Sequence, residues 1–176
     1  MIPMIPQKRA VRFAALLVPL LLASASCRKA EGPRASLLTS QDRAYAAQTL
    51  GGLREDVRVV LFSRDGGDCK YCADAEGLLT DIAAAAPRVK VEILSLKKDA
   101  ARAAELAIDK VPGIAILGTR DYGLRYFGLP SGYEFTLFVE TLRSVGNSDP
   151  ELAPATVATL AALRKPVQLS VFVTQH

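Results

Sequence analysis

Histidine occurs once in the 176 residues, as the terminal His176. A lone imidazole at the chain end is a solvated tail, so no Cys-His or Ser-His pair can be assembled and the usual routes to nucleophilic hydrolysis are closed. Cysteine occurs three times, at Cys27, Cys69 and Cys72. A structural zinc ribbon takes four ligands, and only Cys27 and His176 could join the other two, so no metal is expected. Glycine is not gathered into a phosphate cradle: Gly66-Gly67 is a short turn without the later Gly-Lys-Ser/Thr. Aromatic residues are 6% of the chain and are not interleaved with arginines. With no basic stripe either, nothing calls for nucleic acid.

The charge is nearly absent once the N-terminus is set aside. The chain carries 22 basic and 18 acidic residues, but Lys8, Arg9 and Arg12 are three of the former and no acid precedes Glu31, which leaves 19 against 18 from Cys27 onward. Those early cations introduce "FAALLVPLLLASA", which has the anatomy of an export signal. The run is shorter than the roughly 20 apolar residues of a spanning helix and contains Pro19; an uncleaved anchor is the rival reading. Ala23-Ser24-Ala25 fits a small-x-small cleavage site, while "LLASASC" resembles a bacterial lipoprotein box with Ser24 where leucine is usual. Cys27 is therefore either a lipidated first residue or discarded with the signal. The expected location is the periplasm, or the outer face of a membrane through a lipid anchor.

With 50% apolar and 23% charged residues, the remainder has ordinary globular composition. Residues 28–38 are small, charged and Pro/Gly-containing, as a tether would be. "TSQDRAYAAQTLGGL" offers Thr39 or Ser40 as a helix cap and Gly51-Gly52 as a stop. "VRVVLF" (57–62) suits a buried strand. Ala75, Leu78, Leu79, Ile82 and Ala86 then form one apolar helical face, ended by Pro87. The spacing next predicts a strand over 89–96 with Val89, Val91 and Ile93 on one side, a short helix over 99–107, and strands over 111–118 and 122–128. Ser131 and Glu134 have capping-box spacing before the core stripe Phe135, Phe138, Val139 and Leu142. Strand-helix-strand followed by a strand pair and a closing helix is the thioredoxin arrangement, an α/β fold with a mixed four-stranded sheet and helices on both faces. Beyond it the sequence predicts a helix near Pro154 and a strand over 167–173. That strand would leave a sticky edge unless it docks on the first module or on a partner chain.

"DCKYCADA" (68–75) holds the remaining cysteine pair. A purely structural disulfide would close a loop too small to gain much, because the entropic benefit grows with loop length. A redox centre accounts for more of the surroundings. Cys69 stands at the expected start of a helix, where the dipole favours an anion and hence the attacking thiolate. Cys72, three residues on, can attack the resulting mixed disulfide and release the substrate. Lys70 adds to thiolate stabilisation and Asp68 opposes it, each weakly if exposed.

"CKYCADAEGLL", "KVPGIAI", "YGLRYFGLPSGYEF" and "KPVQLSVFVT" occur in an order that resembles the glutaredoxin-like protein disulfide oxidoreductases, which are built of two tandem thioredoxin-fold modules. More distantly, they resemble the thioredoxin-like N-terminal part of the flavoprotein subunit of alkyl hydroperoxide reductase. The resemblance implies Cys69 as nucleophile, Cys72 as resolving thiol, Pro112 as a cis-proline facing them, and a Val111 backbone that pairs with bound peptide as an added strand. It implies no cofactor beyond the redox-active disulfide. Together with the N-terminal reading, it divides the chain into a signal segment (1–27), a tether (28–38), a thioredoxin-like domain (39–148) and the truncated start of a second module (149–176). Two departures stand out. Such proteins are commonly cytosolic, and "VFVT" here leads to Gln175-His176 in place of a second Cys-x-x-Cys.

The expected function is an exported thiol-disulfide oxidoreductase, exchanging disulfides of proteins or small molecules and coupled to an unknown electron donor or acceptor. The alternatives are an electron-relay domain serving a peroxidase and a non-catalytic thioredoxin-fold binding module with residual cysteines.

Overall fold

The structure, a computed structural model, describes residues 36–64 and 69–173. The expected signal segment, Cys27 and Asp68 lie outside the described residues. The elements run α1 (Ser40–Leu50), β1 (Val57–Ser63), α2 (Cys72–Ala85), β2 (Val89–Ser95), α3 (Ala100–Glu105), β3 (Gly113–Leu117), β4 (Asp121–Phe127), α4 (Tyr133–Asn147) and α5 (Pro154–Ala161).

The four strands form one mixed sheet in the order β2-β1-β3-β4, with β1 parallel to β2 and the other two neighbours antiparallel. The central strands are apolar on both faces, which is why β1 reads as an unbroken β-branched run instead of an alternating one. Val57, Val59 and Leu61 join Ile114 and Ile116 of β3 in a core with α1, α2 and α4. Val60 and Phe62 point the other way and pack with Ala115, Leu117, Ala103 of α3 and Leu106 at its C-terminal end. Helices thus cover both faces, three on one and one on the other. On the larger side α2 buries Ala75, Leu78, Leu79 and Ile82, and α4 buries Phe135, Phe138, Val139, Leu142 and Val145. These stripes recur every three to four residues, as a helix lying on a sheet requires. Leu38, placed by the sequence in the tether, is 7% exposed and packs into this core. No helix among the described residues is long and apolar enough to cross a membrane.

Four sequence expectations meet a different outcome. Helix α2 begins at Cys72, with Tyr71 at its N-cap, so Cys69 lies in the preceding turn and not in the helix. The Ser131 capping box is not how α4 starts. Its N-cap is Gly132 at φ 59°, a left-handed value suited to glycine, and no side-chain bond caps that position. The Glu134 carboxylate is engaged elsewhere, accepting a hydrogen bond from the Tyr126 hydroxyl of β4. Ile93, expected on the same side of its strand as Val89 and Val91, is 47% exposed where Val89 is buried, on the edge strand β2. Residues 167–173 form no strand: they are exposed and pair with no strand among the described residues. A strand exists only through a neighbour's hydrogen bonds, and the domain does not supply one. The helix near Pro154 is present as α5, with Pro154 at its first turn and no buried residue.

Thr39 caps α1 reciprocally with Asp42: its hydroxyl accepts from the Asp42 amide at 3.1 Å while the Asp42 carboxylate accepts from the Thr39 amide at 3.1 Å. The helix is fastened to α4 by one charge-assisted bond, whose acceptor is also held by a neighbour within α4. Tyr45 donates from Oη to Oε1 of Glu140 at 2.7 Å, and Arg143 donates from Nε to Oε2 of the same carboxylate at 2.6 Å. The Tyr45 bond first and the Arg143 bond second hold the Glu140 pKa below the ordinary carboxylate value. A depressed folded-state pKa contributes stability above the unfolded pKa and loses it as pH falls through the folded one. Glu140→Gln is therefore expected to be less stable than wild type at pH 7, with the difference closing below about pH 4, near the unfolded carboxylate pKa. At 39% side-chain exposure the effect should stay under about 1 kcal/mol. Urea denaturation at pH 7 and pH 3 measures it.

Candidate redox site

The register of the sheet sets where the chemistry-bearing residues gather. Phe62 pairs with Gly113 and Gly113 with Phe127, so the C-terminal ends of β1 and β4 and the N-terminal end of β3 lie at one margin. From that margin β1 leads through residues 64–71 into α2, and residues 109–112 lead into β3. Strand pairing thereby puts the segment that leads to Cys69 and the segment that carries Val111–Pro112 at the same margin of the sheet.

Cys69 and Cys72 are joined by a disulfide with S–S 2.03 Å, χ3 82° and Cα–Cα 5.5 Å. The Cys69 carbonyl accepts from the Cys72 amide at 3.4 Å, which closes the turn between them. The two sulfurs are not equivalent. Cys72 is the first residue of α2 and 5% exposed, whereas Cys69 is half-buried in the turn outside the helix. Tyr71, at the N-cap, does not cap the helix with its side chain, so the positive end of the dipole faces the turn that carries Cys69.

The Val111–Pro112 peptide is cis. Pro112 is buried and Val111 half-buried, and among the described residues no hydrogen bond engages the Val111 backbone. The Pro112 carbonyl is held by the Gly128 amide at 3.0 Å, which ties this loop to the end of β4. Gly113 is required by close packing: a Cβ there would meet the Lys110 carbonyl oxygen and Ile108 Cγ2 at 2.6 Å each. Lys70 is exposed, with its Nζ 4.8 Å from the centre of the Tyr71 ring. Lys110 stands 5.1 Å over Phe127 in the same fashion. Tyr71 and Phe127, 44% and 43% exposed, therefore border the redox turn and the proline loop with apolar surface that lysines cover.

Two residues at this margin escaped the sequence reading. Ser63, at the end of β1, is the buried polar residue of the core at 6% exposure, and its hydroxyl donates to Oε1 of Glu76 at 2.6 Å. Glu76 is half-buried on α2, four residues after Cys72 and so on the same helical face. The i,i+4 relation was visible in the sequence, but the serine that holds the carboxylate is 13 residues away and meets it only in the fold. Among the described residues no group of three or more His, Cys, Asp or Glu side chains is placed to hold a metal ion.

A protein disulfide oxidoreductase from Aeropyrum pernix K1 is 24% identical over 71% of this chain and 55% of its own, with TM-score 0.63. The fold is thioredoxin-like. The NTD_N/C domain of alkylhydroperoxide reductase AhpF from Enterococcus faecalis V583 is 20% identical over 73% of this chain and 62% of that one, also with TM-score 0.63. These solved structures are of the kinds that the sequence motifs resemble. The thioredoxin-like chain spans 55 and 62% of the length of these two neighbours. No protein-family model matches it, and no curated protein does.

The difference in burial between the two sulfurs gives a direct expectation. Once reduced and offered a disulfide, the Cys72→Ser protein should retain a substrate thiol covalently on Cys69, whereas Cys69→Ser should retain none. Intact-mass measurement checks this. Equal labelling of the two variants would mean that the fold does not distinguish its sulfurs.

Proposed function

We propose that the chain is an exported thiol-disulfide oxidoreductase that works through the Cys69–Cys72 couple and needs no other cofactor. The observation that carries this is the placement of the Cys-x-x-Cys disulfide at the head of α2, beside the cis-proline margin of a thioredoxin-like sheet. In the reducing direction the Cys69 thiolate attacks one sulfur of a substrate disulfide, breaking that bond and forming a mixed disulfide. The departing substrate sulfur leaves as a thiolate and takes up a proton. Cys72, deprotonated, then attacks the Cys69 sulfur. The Cys69–Cys72 bond forms, the second substrate thiolate leaves, and two electrons have passed from the chain to the substrate. A dithiol donor resets the pair by the reverse exchange; run backwards, the same steps oxidise a substrate.

The residues around the couple fit these steps. Val111 offers a backbone without a hydrogen bond among the described residues, suited to pairing with an extended peptide. Tyr71 and Phe127 supply apolar contact. Glu76, held by Ser63 on the face that carries Cys72, provides a carboxylate at the depth where the resolving thiol loses its proton. Lys70 lies at the surface next to Cys69 and favours its thiolate weakly; Asp68 is assigned the opposing influence that its charge implies. Export rests on the N-terminal sequence, with Cys27 as the point of lipid attachment if that cysteine is retained. Similarity to the AhpF domain favours one second reading, an electron relay that passes reducing equivalents to a peroxidase; transfer in a reconstituted system would separate the two.

The purified protein should accelerate the reduction of insulin by dithiothreitol, and Cys69→Ser should return the rate to the uncatalysed level. Equal rates for wild type and variant would remove the proposal and leave a binding module.

A further inference from the structure

Every residue from Glu151 to Val173 is exposed, yet the end of this stretch is written as a strand. Over 167–173 the sequence is Val-Gln-Leu-Ser-Val-Phe-Val, and Val167, Leu169, Val171 and Val173 are 73, 86, 75 and 60% exposed. Apolar residues at every second position share one face of an extended chain, and such a face is stable only against a core.

The domain has a place that fits it. β4 is an edge of the sheet, so the hydrogen-bonding groups along its outer side can accept another strand. Next to it a groove of about 740 Å3 runs between β4 and α4, with Tyr122, Leu124, Leu137, Thr141 and Val145 in its walls. Tyr122, Leu124 and Leu137 are 38, 36 and 69% exposed. The groove lies on one face of the sheet edge, and the segment has one apolar face to offer. Charge agrees in sign, though weakly: Glu140, Asp149 and the nearby Glu151 stand against Arg120 and Arg143, the latter already paired with Glu140 and Glu151, while the segment is entered through Arg164-Lys165. The opposite edge, β2, shows exposed Lys90 and Glu92, charges of the kind that discourage pairing.

We propose that residues 167–173 of one copy add to β4 of a second copy as a fifth strand, with the valine and leucine face seated in the groove, and that the exchange is reciprocal. The observation that selects a second copy is that the described chain leaves both the segment and the groove uncovered. One contact, repeated twice about a two-fold axis, covers both segments and both edges and closes the assembly without an open end. The inference rests on no part of the redox reading.

Size-exclusion chromatography with light scattering of the full-length purified chain, together with amide hydrogen exchange, tests it. Wild type should be a dimer at micromolar concentration, with amides of 167–173 and of β4 protected. Leu169→Asp with Val171→Asp in the segment, and separately Leu137→Asp in the groove, should each give a monomer in which that protection is lost while β1 and α2 keep theirs. Mixing the two variants should restore a dimer, because one contributes an intact groove and the other an intact segment. A monomeric wild type overturns the proposal, whether 167–173 exchanges freely or is protected by folding back on its own chain. So does a dimer that survives both sets of substitutions, or a mixture that stays monomeric.

Discussion

The structure turns on the joint between β1 and α2, where a strand buried on both faces hands the chain to a helix whose first residue is a cysteine. Phe62 and Ser63 are fixed by pairing with β2 and β3 and by packing on both sides. Ala75, Leu78, Leu79 and Ile82 hold α2 against the same sheet. Cys69 is tied to the first residue of α2 by the disulfide and by the hydrogen bond from the Cys72 amide to its carbonyl. The strand pairing brings Pro112 to that margin, and the packing of Gly113 against Lys110 and Ile108 leaves the proline loop little freedom.

Much of this was legible in the sequence because the central elements follow simple periodicities. β1 declared itself as an unbroken apolar run and α2 and α4 as stripes, and the α1 cap was written in Thr39 and Asp42. What was misread depended on partners distant in sequence. Glu134 looked like the second half of a capping box until the fold brought Tyr126 to it. The start of α2 moved from Cys69 to Cys72 because a helix signal locates a face better than an end. Ser63 and Glu76 carried no local signature, since their bond requires strand and helix to be superposed. In residues 167–173 the alternating pattern predicted a strand that does not form, because no neighbour among the described residues pairs with it.

The margins of the sheet therefore divide the work. One end collects the sulfurs, the cis-proline loop and two lysine-covered aromatic rings. The long edge at β4 carries the groove beside α4, away from the redox turn in the order of the chain. Burial distinguishes the two cysteines: Cys69 is half-buried outside the helix, and Cys72 is buried at its start, with Glu76 one turn further along.

The claim on which the chemistry depends is that the N-terminal end of α2 stabilises an anion at Cys69. A helix terminus is worth about 0.3–1 kcal/mol at an exposed site and up to ~2 in a partly buried one, and each 1.36 kcal/mol corresponds to one pH unit. The reduced protein should thus alkylate at Cys69 with iodoacetamide along a pH curve whose midpoint falls below the ~8.5 of an ordinary thiol. A midpoint at or above ~8.5 would contradict the claim, because the sulfur would then gain nothing from its place in the fold.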